Sequence, residues 1–372
     1  MQTVTWQQVV GRRVRRQLLT EPGEELVATA SRLGGVHAQV AASAEQILGV
    51  RCPAVTPERV SDALWRERTL VKTWGMRGTL HLFPAAELPT WVAAFRSRQW
   101  PPFTPAWERY HGVTPDELRD VTGAIGELLP GRQLTREELA AAVAERLGKP
   151  ALVERIRSGW GVMLKPAAAG GLLCFGESQG RNVTFASPRD WVSGDWREPS
   201  FDEALTEVVA RFLDVYGPAS HEDFARWWGV DPKTGRELLT GHADGLVQVS
   251  LDGAKAWTTA EAAGELADTE PARGVWLLPG FDPYVTAPIS HRRWLIPDGY
   301  VDRVSRTAGW ISPVLVVDGM IRGVWSPQRG KAGATFTITP FAPVSATVRR
   351  AAERHAETYA PLLGVPVTVR WE

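Results

Sequence analysis

The chain has 372 residues, with 42 Lys and Arg against 42 Asp and Glu and an apolar fraction of 44%. This length can bury two or more cores, and the zero formal charge excludes a protein that coats nucleic acid indiscriminately. The two cysteines, Cys52 and Cys174, stand far apart outside any Cys/His cluster, which excludes a disulfide framework and a zinc site as readings.

The opening residues, Met1 to Trp6, carry no apolar core of signal-peptide length, and no uncharged apolar run is long enough to span a bilayer. A cytoplasmic protein without a membrane partner is expected, nucleoid-associated when it holds DNA. Most basic residues are Arg, with Lys only at 72, 149, 165, 233, 255 and 331, and they cluster. Clustered Arg on a balanced chain suits a nucleic-acid binder, and it also follows from a GC-rich coding sequence.

Trp6, Val9, Val10 and Val14 recur at helical spacing while Arg12, Arg13, Arg15 and Arg16 fill the remaining positions. The spacing predicts a helix with one buried side, whose basic remainder is either a solvated face or a phosphate contact. Pro22-Gly23 ends it, and a second helix runs from about Glu24 to Leu33, stopped by Gly34-Gly35. Next comes Val36-His37-Ala38-Gln39. If the backbone is extended there, His37 and Gln39 point to one side and face one space. A lone His or Gln at a helix end is by itself more often structural than catalytic.

Thr56-Pro57-Glu58 opens a helix expected to run to about Arg68. Leu70 to Phe83 then reads as two β-prone runs joined near Gly75 and Gly78, a hairpin carrying Lys72, Arg77 and His81. Helices followed by a hairpin make a winged-helix (helix-turn-helix) pattern, and it recurs. Thr114-Pro115 and Thr135-Arg136-Glu137-Glu138 open helices, another covers Ala151 to about Trp160, and Gly171 to Phe185 folds back around Ser178-Gln179-Gly180. In a third copy Ser220 caps a short helix through Trp228, Pro232 begins the next, and strands around Asp252-Gly253 form the wing. From about Arg273 the texture turns β-rich, with a turn at Asp318-Gly319, a helix from about Ser345 to Tyr359 and a last strand ending at Trp371. The expected organisation is α+β: winged helices over 1–110, 111–197 and 198–270, then a β-barrel over 271–372.

Three blocks in this order resemble the winged-helix DNA glycosylases of the AlkZ/YcaQ kind: Leu33 to Gln39, Trp74 to Leu82, and Leu278-Pro279-Gly280-Phe281-Asp282-Pro283-Tyr284 followed by Val316 to Gly319. The resemblance implies three tandem winged helices and a C-terminal β-barrel in a C-shaped clamp on double-stranded DNA. It also implies removal of N7-alkylated purines, with some relatives acting on bulky adducts or interstrand crosslinks in self-resistance. In that family's usual motif two Gln flank one apolar residue; here His37 stands first and Gln39 second, a departure that bears on lesion preference.

N-glycosidic hydrolysis passes through an oxocarbenium-like state and ordinarily needs an acid for the leaving group. An N7-alkylated purine is already cationic and leaves as a neutral base, so placing and deprotonating the water is what remains. Gln39 can place that water through its amide, and His37 can take its proton, so His37 is assigned as general base and Gln39 as water-positioning residue. In a variant reading His37 bonds the lesion or a phosphate instead. Arg12, Arg16, Lys72, Arg77, Arg292 and Arg293 are the candidate DNA contacts, with Arg303 and Arg306 downstream and a solvated loop as the alternative for His291-Arg292-Arg293. His81 reads as packed, and Asp282 as the side-chain cap of a turn rather than an acid. The Trp227-Trp228 pair offers either stacking surfaces or core.

No Lys adjoins His37, so a monofunctional glycosylase is expected rather than a Schiff-base lyase. No P-loop, metal cluster or nucleotide-binding Gly motif is present, so no cofactor is expected, and the chain should act as a monomer. Two competitors remain from the sequence: a winged-helix transcriptional regulator without catalysis, and a protein that sequesters the adduct without hydrolysing it.

Overall fold

The N-terminus enters helix α1 (Trp6–Arg16) through a capping box, in which Thr5 accepts from the Gln8 backbone N–H and Gln8 reaches back to Thr5. Such a cap stabilises a helix end by about 1 kcal/mol. The expected apolar stripe is buried: Trp6, Val9, Val10 and Val14 all lie in the core.

The computed structural model describes residues 1–98, 104–157, 161–192, 195–286, 288–330 and 332–372. It is a mixed α and β protein whose residues group into two compact units, Met1–Val60 with Val209–Glu372, and Ser61–Val208. Among the described residues no helix is long and apolar enough to cross a membrane.

In the first unit, strand Gln2–Val4 runs parallel to Leu246–Leu251, which pairs antiparallel with Ala254–Thr259 around Asp252-Gly253. Asp252 and Gly253 both take positive φ, the backbone a two-residue hairpin turn requires. Helices Phe201–Tyr216, His221–Trp228 and Pro232–Gly241 precede this hairpin. Trp227 and Trp228 pack with Phe212 and Phe224 and are buried, so of the two readings for that pair the core one holds.

The C-terminal sheet has five strands: Val275–Leu278, Val314–Val317, Met320–Arg329, Ala334–Pro340 and Val367–Trp371. All pairs are antiparallel except the last, which is parallel and therefore needs a crossover, supplied by helix Ala346–Glu357. The expected barrel is here an open sheet curled as a half-barrel. The crossover helix explains why it stays open. It packs on both edge strands, with His355 accepting from the Leu277 backbone N–H at 3.4 Å and Glu353 from the Trp371 indole at 3.2 Å. Inside the curl Trp325 and Phe336 stack and Tyr359 meets both edge-on, and the Trp325 indole and Tyr359 hydroxyl donate to the Leu278 and Leu277 carbonyls.

In the second unit, Leu70–Trp74 and Leu80–Pro84 form the first expected hairpin. Helices Pro115–Leu128, Arg136–Leu147 and Leu152–Arg157 precede the second, Cys174–Gln179 with Asn182–Ala186, to which the short strand Gln133–Thr135 adds. The expected end of the third of these helices at Trp160 lies outside the described residues. Trp74 contacts Phe175 and Phe185, so the two hairpins share one aromatic core.

Candidate active site

Helix α2 (Leu26–Arg32) stops where the Gly pair demands it. Gly34 and Gly35 take φ of 68° and 93°, and their N–H groups bond back to the Ser31 and Ala30 carbonyls, closing the helix end. Tyr216 fixes this turn by donating to the Leu33 carbonyl at 3.0 Å. Strand Val36–His37 follows, and helix α3 (Ala41–Arg51) begins four residues after His37.

The strand does not extend to Gln39, which lies in the bend before α3. His37 is 9% exposed while Gln39 is exposed. Their difference in burial therefore follows from a chain that leaves the strand between them, and the simple alternation expected for an extended run stops at His37.

The His37 ring stacks on Phe281, with centroids 4.7 Å apart and planes 14° from parallel. Phe281 belongs to the Leu278–Tyr284 block that follows the first strand of the half-barrel. Its φ of 62° is a costly backbone for a bulky residue, and such outliers persist where the surroundings over-determine them. Here the clamp is identifiable. Asp282 is fully buried, its Oδ1 accepts from the Tyr284 N–H at 2.9 Å, and both its oxygens receive the Arg51 guanidinium at 2.8 Å. Arg51 is the last residue of α3, and it also donates to the Gln17 and Ile47 carbonyls. The helix that begins beside the His37 segment thus ends by pinning the loop that carries Phe281. Asp282 is the side-chain cap of a turn, as expected, and is committed to Arg51.

Phe281 also meets Trp310 in a T-shaped contact at 5.0 Å. Nothing in the sequence singled out Trp310.

The candidate DNA contacts fall into different settings. Arg12 is buried, donating to Asp214 at 2.7 Å and to Glu265 at 2.6 Å, and Arg16 shares Asp214 through its Nε at 2.7 Å. Helix α1 thus turns Arg12 inward toward the protein's own carboxylates, neither to solvent nor to a phosphate. Arg16 is half-buried against the same group. The missing signal was Asp214, about 200 positions away. His291 is buried beside Arg13 and edge-on to Trp6; burial first, then the Arg13 charge, holds its pKa well below the usual value. Arg292 is half-buried and donates to Ser305 Oγ at 3.2 Å, whereas Arg293 is exposed over Trp294.

In the other unit Lys72 lies half-buried over Phe175, and Arg77 occupies the hairpin turn at φ 56°. Half-buried Arg98 donates to the Gly75 carbonyl of that turn; desolvation, then the Arg77 charge, lowers its pKa to about 10. Lys165 is lowered by burial and then by Arg98. Arg98 and Lys165 were not marked by sequence reasoning, because neither belongs to a local basic run. His81 is buried, stacks on Phe83 and has its Nδ1 3.0 Å from the Thr79 carbonyl oxygen, a packed histidine as expected.

Among the described residues no group of three His, Cys, Asp or Glu could hold a metal. The sequence of residues 30–362 matches the model of the family described as DNA glycosylase AlkZ-like. The chain belongs to the AlkZ-like DNA glycosylase family. It is 36% identical over 370 residues to an interstrand DNA cross-link repair glycosylase of Streptomyces sahachiroi, covering 97% of each chain. Its fold is similar to the solved structure of the S. sahachiroi DNA glycosylase AlkZ, with a TM-score of 0.91 at 35% identity over the whole of both chains. As an AlkZ-like glycosylase the protein is a hydrolase of N-glycosyl bonds with DNA as substrate.

Proposed function

We propose that the protein is a monofunctional glycosylase for cationic N7-alkylated purines in duplex DNA, bulky guanine adducts included. The observation that carries this reading is the pairing of a buried, ring-clamped His37 with an exposed Gln39 two residues on. In the proposed step the N9–C1′ bond breaks with its electron pair going to the purine, whose cationic charge is thereby neutralised. Water oxygen bonds C1′, and the water's proton passes to the His37 imidazole. Gln39 holds the water by accepting from it. Weak catalytic groups of this kind spare normal guanine, which is a poorer leaving group.

The S. sahachiroi relative is an interstrand DNA cross-link repair glycosylase, which supports the same reaction for this chain, the unhooking of an interstrand crosslink. When both linkages are N7-alkylpurines, this is the same cleavage performed twice. For the architecture, the hairpins Cys174–Gln179 with Asn182–Ala186 and Leu246–Leu251 with Ala254–Thr259, each preceded by helices, support winged helices over 111–197 and 198–270, with a further one proposed over 1–110. The protein would act as a monomer; in the second unit Lys72, Arg77, Arg98 and Lys165 would meet phosphates, and in the first unit Arg293 would do the same.

The test is single-turnover release of free base from duplexes carrying N7-methylguanine or a bulky N7-guanine adduct. Replacing His37 or Gln39 by Ala should each slow release about 100-fold or more while DNA binding persists, the range expected for loss of a positioned acid–base group. Unchanged release in both variants would remove these two residues from the chemistry. Operator-specific binding without release would favour the regulator, and tight adduct binding without turnover the sequestering protein.

A further inference from the structure

Trp310 alone among the described tryptophans stands exposed, with 47% of its surface open. A single exposed apolar side chain is ordinary and needs no explanation in itself. Its mounting sets it apart. Arg306 N–H donates to the Trp310 carbonyl at 2.8 Å, Trp310 N–H to Thr307 at 3.3 Å, and Ser312 N–H to Val304 at 2.9 Å, while Ser305 bridges to Ile311. Ala308 is held at φ 56° inside this turn, a backbone that non-glycine residues adopt reluctantly. The turn is therefore tied at its base and strained at its tip, and it fixes an indole outward.

The same indole contacts Phe281, and Phe281 stacks on His37. Three rings thus run from the catalytic segment to solvent within one unit. Arg303 and Arg306 are exposed on the same short stretch, so two cations accompany the indole there, a combination that suits a nucleic-acid ligand with a flat face. An aromatic ring already fixed in place loses little freedom when a flat group stacks on it.

We propose that Trp310 is a specificity-determining contact, stacking on the planar polycyclic part of a bulky N7-guanine adduct; this rests on the N7-adduct reading above. A methyl group on N7 offers no face to stack on, so this contact separates bulky from simple lesions. Stacking on an ordinary base would serve every lesion alike.

The experiment compares intact protein with Trp310→Ala and Trp310→Phe on duplexes holding N7-methylguanine or the N7-guanine adduct of aflatoxin B1, a flat polycyclic probe. At enzyme below saturation, Trp310→Ala should slow release of the aflatoxin adduct at least ten-fold and N7-methylguanine less than two-fold, with Trp310→Phe restoring most of the loss. Equal losses on both lesions, or none on either, overturn the proposal. Fluorescence anisotropy on adducted and undamaged duplex separates the two readings if the intact protein releases neither base. A preference for the adducted duplex that Trp310→Ala abolishes then upholds the contact while the substrate reading falls. No preference in the intact protein overturns both.

Discussion

Histidines in this protein are set apart by what surrounds each ring. His37 lies against Phe281 next to an exposed Gln39, while in the same unit His291 is buried and His355 half-buried. Burial pulls the His355 pKa down to about 4, helped by the Arg51 charge and opposed by its own backbone hydrogen bond. A neutral His355 is what the fold requires, since its Nδ1 accepts from Leu277. Between the folded value near 4 and the unfolded value of about 6.5 the unfolded chain binds more protons, so stability is complete above that window and falls as pH drops through it. A shift of that size corresponds to about 3 kcal/mol lost on full acidification. His291 acts in the same direction, through burial and Arg13. Replacing His355 by Gln keeps an acceptor for Leu277 but removes the titration. Urea unfolding between pH 4 and 7 should therefore show a flatter stability profile in His355→Gln than in the parent, and identical profiles would reject His355 as a source of acid sensitivity.

Helix α3 joins the two ends of the candidate site, starting after Gln39 and ending at Arg51, whose guanidinium grips Asp282 behind Phe281. Both charges are fully buried, and breaking such a pair from one side leaves an uncompensated charge at a cost of about 3–5 kcal/mol. Arg51→Met should lower the unfolding free energy measured in urea by that margin and slow base release through loss of Phe281 placement. Adding Asp282→Asn to it should recover part of the stability, since the stranded charge is gone. A double variant no more stable than Arg51→Met would show that packing rather than charge dominates. This element also marks where the sequence stops being readable. The hairpins at Leu70–Pro84 and Leu246–Thr259 are legible because alternation and turn residues are local, and Asp282 is legible as a turn cap because Tyr284 is two residues away. The partner of Asp282 lies 231 positions distant and that of Arg12 about 200, so no local pattern encodes either pairing. The open edge of the half-barrel was hidden for a related reason, because the helix covering it is recognised only once both edge strands are in place. Trp310 escaped because a tryptophan in sequence is core by default.

A DNA enzyme with 42 basic and 42 acidic residues cannot rely on overall charge to hold its substrate. Its affinity must come from a few local cations, and many arginines are excluded because they are tied to the protein's own carboxylates: Arg12 and Arg16 to Asp214, Arg51 to Asp282. A group of cations also lies around the first hairpin, where, after burial, Arg77 lowers the proton affinity of Arg98 and Arg98 that of Lys165. Like charges packed together are relieved by an anion, and a phosphate is the anion DNA offers. The salt dependence of binding counts such contacts, since each neutralised phosphate contributes about 0.9 to the slope of log K against log salt. Arg77→Gln should reduce the slope by about one and weaken binding to damaged and undamaged duplex alike. Arg12→Gln should instead lower stability by freeing Glu265 and half of Asp214 while leaving the slope unchanged. Anisotropy titrations from low to moderate salt would decide between them. A slope change in Arg12→Gln as large as that in Arg77→Gln would mean that α1 presents its charge to DNA, and the division between structural and DNA-facing arginines drawn from burial would be wrong.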